Sequence, residues 1–194
     1  MECRLNVMLD THNKLIVISG CSGGGKSTLI NELSKMGYVV VHEAATEILN
    51  QQLKENGQTT PWQNPAGFCK LLIEKSVEDF HRAKAMTDVY DNTIFFDRSY
   101  LEGIRYYKKL NTIDLNKYDF FINDLRYFDT VYLTPPWEEI YCQNETRKYS
   151  FIKSVDDFKK VVSFYPKCGY QTTELPKVNA RARAQFILSS INRT

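Results

Sequence analysis

The chain has no apolar run approaching the ~20 residues that a membrane-spanning helix needs. Its opening, MECRLNVMLDTHNK, carries no secretory signal pattern, because Asn6, Asp10 and His12 interrupt the would-be apolar region. Cysteine is sparse: Cys3, Cys21, Cys69, Cys142 and Cys168 are scattered, odd in number and free of C-x-x-C spacing. That argues against a disulfide framework or a zinc site and suits a reducing compartment. The three histidines, His12, His42 and His81, lack metal-ligand spacing and read as structural. Charge of one sign is lacking too. A net charge of +2 exerts no global pull toward nucleic acid or a membrane surface, and the pairs Lys108-Lys109 and Lys159-Lys160 read as solvated helix surface. A cytoplasmic protein with neither nucleic acid nor membrane as partner is the expectation. Internal repeats, low-complexity tracts and composition breaks are absent as well. With 194 residues, the chain is expected to form one domain over 1–194.

What the chain does have is an alternation of short apolar runs with amphipathic segments. Leu15 to Ser19, Tyr38 to His42, Thr93 to Asp97 and "TVYLTPP" read as buried strands, and "CGYQTTEL" supplies a fifth. Between them, Leu29, Ile30, Leu33 and Met36 recur at helical spacing before Gly37, and "EAATEILNQQLKENG" reads as a helix closed by Gly57. A long helix follows Asn64 as cap and Pro65 at the first helical position. Further helices are expected at 100–110, 115–127, 154–165 (capped by Ser154 and Asp157) and 177–191. An extra edge strand is possible over the first nine residues. Strands alternating with helices imply a mostly parallel, five-stranded α/β sheet with helices on both faces.

Four glycines fall within "GCSGGGKS", residues 20–27, immediately after the first strand and opening the first helix. The stretch fits G-x-x-x-x-G-K-[ST], with Gly20, Gly25, Lys26 and Ser27 at the fixed positions. Bare backbone here lets successive N–H groups turn inward as an anion nest, to which the helix adds its positive end. The phosphate-binding set is therefore Gly20, Ser22, Gly23, Gly24, Gly25, Lys26, Ser27 and Thr28. Lys26 can reach the β- and γ-phosphates, and the Ser27 hydroxyl can serve Mg²⁺. The implied fold is the three-layer P-loop NTPase fold, and the implied cofactors are ATP and Mg²⁺.

Ligands of open α/β sheets sit beyond the carboxyl ends of the strands, so charged residues ending other strands are candidates for the chemistry. Glu43 follows "YVVVH", and Asp97 closes "TIFF" immediately before Arg98. Phosphoryl transfer to a hydroxyl needs neutralised phosphates, a metal and a carboxylate to take the acceptor's proton. Asp97 suits the metal together with Ser27, Glu43 suits the base, and Arg98 suits a phosphate or a polar group of the acceptor. Two blander readings stand beside these: Glu43 as a first-turn residue favoured by the helix dipole, and Asp97-Arg98 as a cap for the next helix. The exchange of base and metal roles between Glu43 and Asp97 is also open. Trp62, Phe68, Tyr100, Arg105 and Tyr106 are candidates for contact with the acceptor, the aromatics by stacking on a ring.

"VVVHEAATEIL" followed by "TIFFDRSY" resembles the acid-after-strand-two and D/E-R-S pattern of the deoxyribonucleoside kinases. In that family the first acid is the base, the second binds magnesium and the arginine contacts substrate or phosphate. Over residues 15–190 the chain is more closely similar to the small P-loop ATPases and kinases grouped with the ribosylnicotinamide kinase domain of the bacterial NadR regulator. "TTPWQNP", "FFDRS", "YLTPPWEEIY" and "TRKYSF" carry that likeness. The resemblance implies a lid at about residues 136–153, from which Arg147 closes over the phosphates; a solvated surface turn is the alternative for that segment. It further implies that "TELPKVNA" cradles the purine. No N-K-x-D guanine-reading motif is present, which tilts the nucleotide toward ATP.

The leading expectation is therefore a P-loop kinase that moves the γ-phosphoryl group of ATP onto a hydroxyl of a small, nucleoside-like acceptor. The competing expectation is an ATP- or GTP-binding regulatory NTPase, a switch whose nucleotide state sets the affinity for a partner. A motor or transporter ATPase is disfavoured, since the chain has no LSGGQ-type signature.

Overall fold

Leu15–Gly20 forms strand β1, all six residues of which are buried. A strand covered on both faces needs apolar side chains in both alternating sets, and LIVIS supplies them. The computed structural model describes residues 14–89, 93–110, 124–141 and 150–191. After β1 come α1 (Lys26–Lys35), β2 (Val39–Val41), α2 (Ala44–Lys54), α3 (Pro65–Val89), β3 (Ile94–Asp97) and α4 (Tyr100–Lys109). Then follow β4 (Thr130–Thr134), α5 (Phe151–Phe164), β5 (Gln171–Glu174) and α6 (Ala180–Ile191). The sheet has the order β2-β3-β1-β4-β5 and every pairing is parallel, with Ile16 beside Phe95 and Ile18 beside Tyr132.

Alternation along the strands divides the core between two layers. Ile16, Ile18, Phe95 and Tyr132 pack with Leu29, Ile30 and Leu33 of α1 and Ala184, Ile187 and Ile191 of α6. Leu15, Val17, Ile94, Phe96, Val131 and Leu133 point the other way. They meet Ile73 and Phe80 of α3, Leu101 and Ile104 of α4, and Phe158 and Val161 of α5. The expected α/β architecture, a five-stranded sheet between helical layers, is the one found. Among the described residues no helix is long and apolar enough to cross a membrane.

Several helix ends differ from the sequence expectation. Asn64 does cap α3, its Oδ1 accepting from Gly67 N at 2.9 Å. In contrast, α5 starts at Phe151, ahead of the expected start at Ser154, and Ser150 rather than Ser154 caps it by accepting from Lys153 N. Ser154 is instead buried in the helix, so the capping pattern at 154–157 is a coincidence of spacing. Likewise α6 begins at Ala180, where Asn179 Oδ1 accepts from Ala182 N at 2.9 Å, not at Lys177. Of the helix expected at 115–127, Asp124 is helical and Leu125–Tyr127 are not; the remainder, like the possible edge strand in residues 1–9, lies outside the described residues.

Candidate active site

The loop between β1 and α1 sits at the carboxyl end of the central strand. Gly20 has φ +134, and a Cβ there would lie 2.3 Å from the Thr134 carbonyl oxygen, so β4 passes too close for any side chain. Gly25, with φ +80, occupies the cap position of α1 in the left-handed region open to glycine. No side chain caps α1 and no acid lies in its first turn. Its first N–H groups are thus left for an anion, and no acid of the helix's own first turn repels one. Ser22, Ser27 and Thr28 are exposed around this mouth, whereas Lys26 is buried.

Lys26 Nζ donates to Asp97 Oδ1 at 2.6 Å, with both side chains less than a tenth exposed. Asp97 ends β3, which pairs directly with β1, and this register brings the two residues together across 71 positions of sequence. Asp97 also lines a cavity of about 500 Å³ between α2, α3, α4 and the ends of β2 and β3. Glu43 and Arg98 stand on the same wall. The two strand-end acids and the arginine singled out from sequence therefore face one space.

Arg98 is the best-held residue of the site. Its Nε donates to Glu43 Oε1 at 2.6 Å, its Nη1 to Glu102 Oε2 and, at 3.3 Å, to the Gly20 carbonyl. Its backbone sits at φ +73, a left-handed conformation that costs a residue other than glycine about 1–3 kcal/mol. The surrounding acceptors, with Arg98 N donating to Ile18 O at 3.0 Å, over-determine that conformation. Burial alone would push the Glu43 carboxyl up; the charges of Arg98 and Lys26 outweigh it and hold the group below its usual range. Burial likewise disfavours the Arg98 cation, but Glu102 and Glu43 more than offset this and raise its pKa well above normal.

The two blander sequence readings can now be compared with the geometry. Glu43 occupies the cap position of α2 rather than its first turn, and its carboxylate makes no capping bond. The cap of α4 is Ser99, not Asp97 or Arg98.

Glu102 was not singled out from the sequence. It is 2% exposed, on the inner face of α4. Oε1 accepts from Ser19 Oγ at 2.5 Å and from the Tyr165 hydroxyl at 3.0 Å, while Oε2 takes Arg98. Ser99 Oγ and Tyr165 Oη are 2.9 Å apart, which closes a buried network reaching from β1 to the residue that follows α5. Its sequence signal is the i, i+4 spacing of Arg98 and Glu102 together with an acid among Leu101, Gly103 and Ile104.

Of the acceptor candidates, Phe68 and Tyr106 line the cavity. Tyr100 does not: it is fully buried and donates to the Leu125 carbonyl at 2.6 Å. Trp62 is 63% exposed and Arg105 lies over the Tyr106 ring at 4.5 Å; neither is on the cavity wall. Arg147 and the rest of 142–149, within the expected 136–153 segment, lie outside the described residues. The described part, with Trp137 and Tyr141, packs over the phosphate loop: a Cβ on Gly23 would meet the Tyr141 ring at 2.4 Å.

Ser27 and Asp97 offer a hydroxyl and a carboxylate, hard oxygen donors of the kind magnesium takes alongside phosphate oxygens and water. No group of three His, Cys, Asp or Glu side chains among the described residues forms a cage for a metal on its own. The donor set thus fits a metal that arrives with a nucleotide.

A family model described as an AAA domain matches residues 15–183. No curated protein matches the chain in sequence. Among solved structures, the chain resembles thymidylate kinase from Ehrlichia chaffeensis with a TM-score of 0.58 and 16% identity, over 92% of this chain and 98% of that one. Deoxyadenosine kinase from M. mycoides with bound dATP gives 0.56 and 18%, over 91% and 98%. Shikimate kinase from Acinetobacter baumannii in complex with shikimate gives 0.54 and 18%, over 93% of each. At such identities the likeness establishes a P-loop kinase-like fold.

Proposed function

Since the chain belongs to the AAA_28 family of AAA domains, we propose that it is a kinase that uses ATP and Mg²⁺ to phosphorylate a hydroxyl of a small, nucleoside-like acceptor. The observation that carries this reading is the cavity beside the phosphate loop, with Glu43, Asp97 and Arg98 on one wall. A protein that only holds a nucleotide has no use for a second chamber with a carboxylate and a guanidinium inside it.

In this reading the loop from Gly20 to Thr28 binds the polyphosphate through its N–H groups, and Lys26 leaves Asp97 to pair with the β- and γ-phosphates. Ser27 and Asp97 would hold magnesium, whose bound charge neutralises the phosphate oxygens. Glu43, kept ionised by Arg98, accepts the acceptor's hydroxyl proton. Arg98 orients that hydroxyl, and Glu102 fixes Arg98. Arg147 closes over the phosphates from a lid at about 136–153, excluding water that would compete for the phosphoryl group. "TELPKVNA", from the end of β5 to the start of α6, supports the base. All of this belongs to one domain over 1–194.

A nucleoside-like acceptor is supported by the walls of the cavity, where Phe68, Tyr106, Phe96 and Tyr127 offer aromatic faces and Leu72 an aliphatic one. The solved relatives that act on deoxyadenosine and thymidylate favour the same class over the shikimate of the third. The test incubates the protein with γ-labelled ATP, Mg²⁺ and a panel of nucleosides, nucleotides, sugars and shikimate. Label on an acceptor is expected. ATP consumed only to ADP and inorganic phosphate across the panel refutes the kinase reading in favour of a nucleotide-dependent switch.

A further inference from the structure

Arg183 on α6 is 2% exposed, yet its partners among the described residues are not acids. Its Nε donates to the Pro176 carbonyl and its Nη1 to the Gly24 carbonyl, both at 2.7 Å. The Trp137 ring lies against the guanidinium, 4.8 Å from centroid to Cζ, and Nη2 is buried with no acceptor. Burial lowers the Arg183 pKa, a measure of what keeping this cation inside costs. A buried guanidinium with main-chain carbonyls in place of a carboxylate is expensive unless it serves the backbone it grips.

The grip falls on the middle of the phosphate loop. A trans peptide is planar, with its C=O and the following N–H pointing in opposite directions. Fixing the Gly24 carbonyl toward Arg183 therefore fixes the Gly25 N–H away from it. That N–H has no acceptor among the described residues, while the Gly25 carbonyl is taken by Leu29 N at 3.1 Å. The position is tight: a Cβ on Gly25 would lie 3.2 Å from Arg183 Nη1.

We infer that Arg183 is a positioning residue for the phosphate loop: by holding the Gly24 carbonyl it aims the Gly25 N–H at the polyphosphate of a bound nucleotide. The inference rests on the nucleotide-binding reading and goes beyond it, because it assigns a role to the helix that follows the base loop. Arginine suits the task and lysine does not, since one planar fork reaches Pro176 and Gly24 together while stacking on Trp137. The device also links the segment carrying Trp137 to the loop, so that order in one supports order in the other.

The test is calorimetric titration of ADP and of AMP into wild type, Arg183→Met and Arg183→Lys. ADP is expected to bind Arg183→Met about tenfold more weakly, the loss of one charge-assisted contact. AMP should change less than about twofold on the same scale, because it lacks the phosphate that the aimed N–H serves. Lysine should restore only part of the loss. Unchanged ADP affinity, an equal loss for AMP, or full rescue by lysine each overturns the assignment. Should both variants fail to fold, the amide of Gly25 in wild type decides, observed by ¹⁵N NMR. It must shift on adding ADP, and an unmoved resonance in an ADP-bound protein refutes the role. Wild type that binds no ADP at all refutes the nucleotide reading itself, an outcome visible before any variant is made.

Discussion

Asp97→Asn isolates the charge of the carboxylate that Lys26 faces at 2.6 Å. The substitution keeps the shape of the side chain but leaves the ammonium of Lys26, buried beneath 8% side-chain exposure, without a counter-ion. Removing one partner of a buried pair costs about 3–5 kcal/mol, and asparagine, which still offers an acceptor oxygen, should lie near the low end, about 3 kcal/mol. For a chain of this size each kcal/mol shifts the melting midpoint by about 2–4 °C, so Tm should fall by about 6–12 °C. Nucleotide binding should move the opposite way. In wild type without Mg²⁺, a polyphosphate competes with Asp97 for Lys26 and is repelled by the carboxylate; in the variant both obstacles are gone. The gain in ATP affinity in EDTA is bounded by the same 3 kcal/mol, a ceiling of roughly a hundredfold. Adding Mg²⁺ should then strengthen binding to wild type but hardly to the variant, and turnover should fall at least about a hundredfold. Differential scanning fluorimetry and calorimetric titration, each with EDTA and with Mg²⁺, read all of these quantities. A variant as stable as wild type, or one that binds Mg²⁺-free ATP no tighter, refutes the claim that Lys26 must leave Asp97 to pair with the phosphates.

Glu43→Gln should lower turnover by about 10²–10⁴-fold while ATP affinity, followed by titration, stays nearly constant; parallel loss of both refutes the assignment of Glu43 as base. The same variant carries a pH prediction. The Glu43 carboxyl is held below the ordinary 4.5, so its native form binds fewer protons than the unfolded chain as pH falls through that region. Its contribution to stability is complete above about pH 4.5 and lost on further acidification. Urea titrations should therefore show a shallower acid decline in Glu43→Gln than in wild type. Glu102→Leu should be among the most destabilising single changes, about 3–5 kcal/mol, because Arg98, Ser19 and Tyr165 each lose an acceptor; a Tm within about 3 °C of wild type would contradict the network. Gly20→Ala places a methyl group 2.3 Å from the Thr134 carbonyl oxygen and should both lower Tm and weaken ATP binding, measured in one thermal-shift titration.

The parts of this molecule that could be read in the sequence are those in which local chemistry and tertiary role coincide. The run at 15–19 must be strand because it is buried on both faces, and the glycines at 20–25 are needed where backbone turns without side chains. Glu43, Asp97 and Arg98 were legible because strand ends in a parallel sheet converge on one edge, so position along the strand stands in for position in space. Helix ends were less legible, since Ser150, Ser154 and Asp157 all suit a cap and only burial of Ser154 decides among them. Glu102 and Arg183 escaped for a different reason. Each is a charged residue in an amphipathic helix, and sequence alone makes that the signature of a solvated face. What reverses the reading is a partner 83 positions away at Ser19 and one 159 positions away at Gly24. Both partners belong to β1 or to the loop that follows it, the most legible stretch of the chain. A loop bound to hold an anion on bare amides has carbonyls facing outward, and those carbonyls and the adjoining strand end require buried donors and acceptors from elsewhere. The place to search a P-loop sequence for its hidden charges is therefore the helices that pack behind the loop, where an arginine or glutamate that falls on the apolar stripe, as Arg183 does four residues before Ile187, has a backbone or a neighbouring charge to hold.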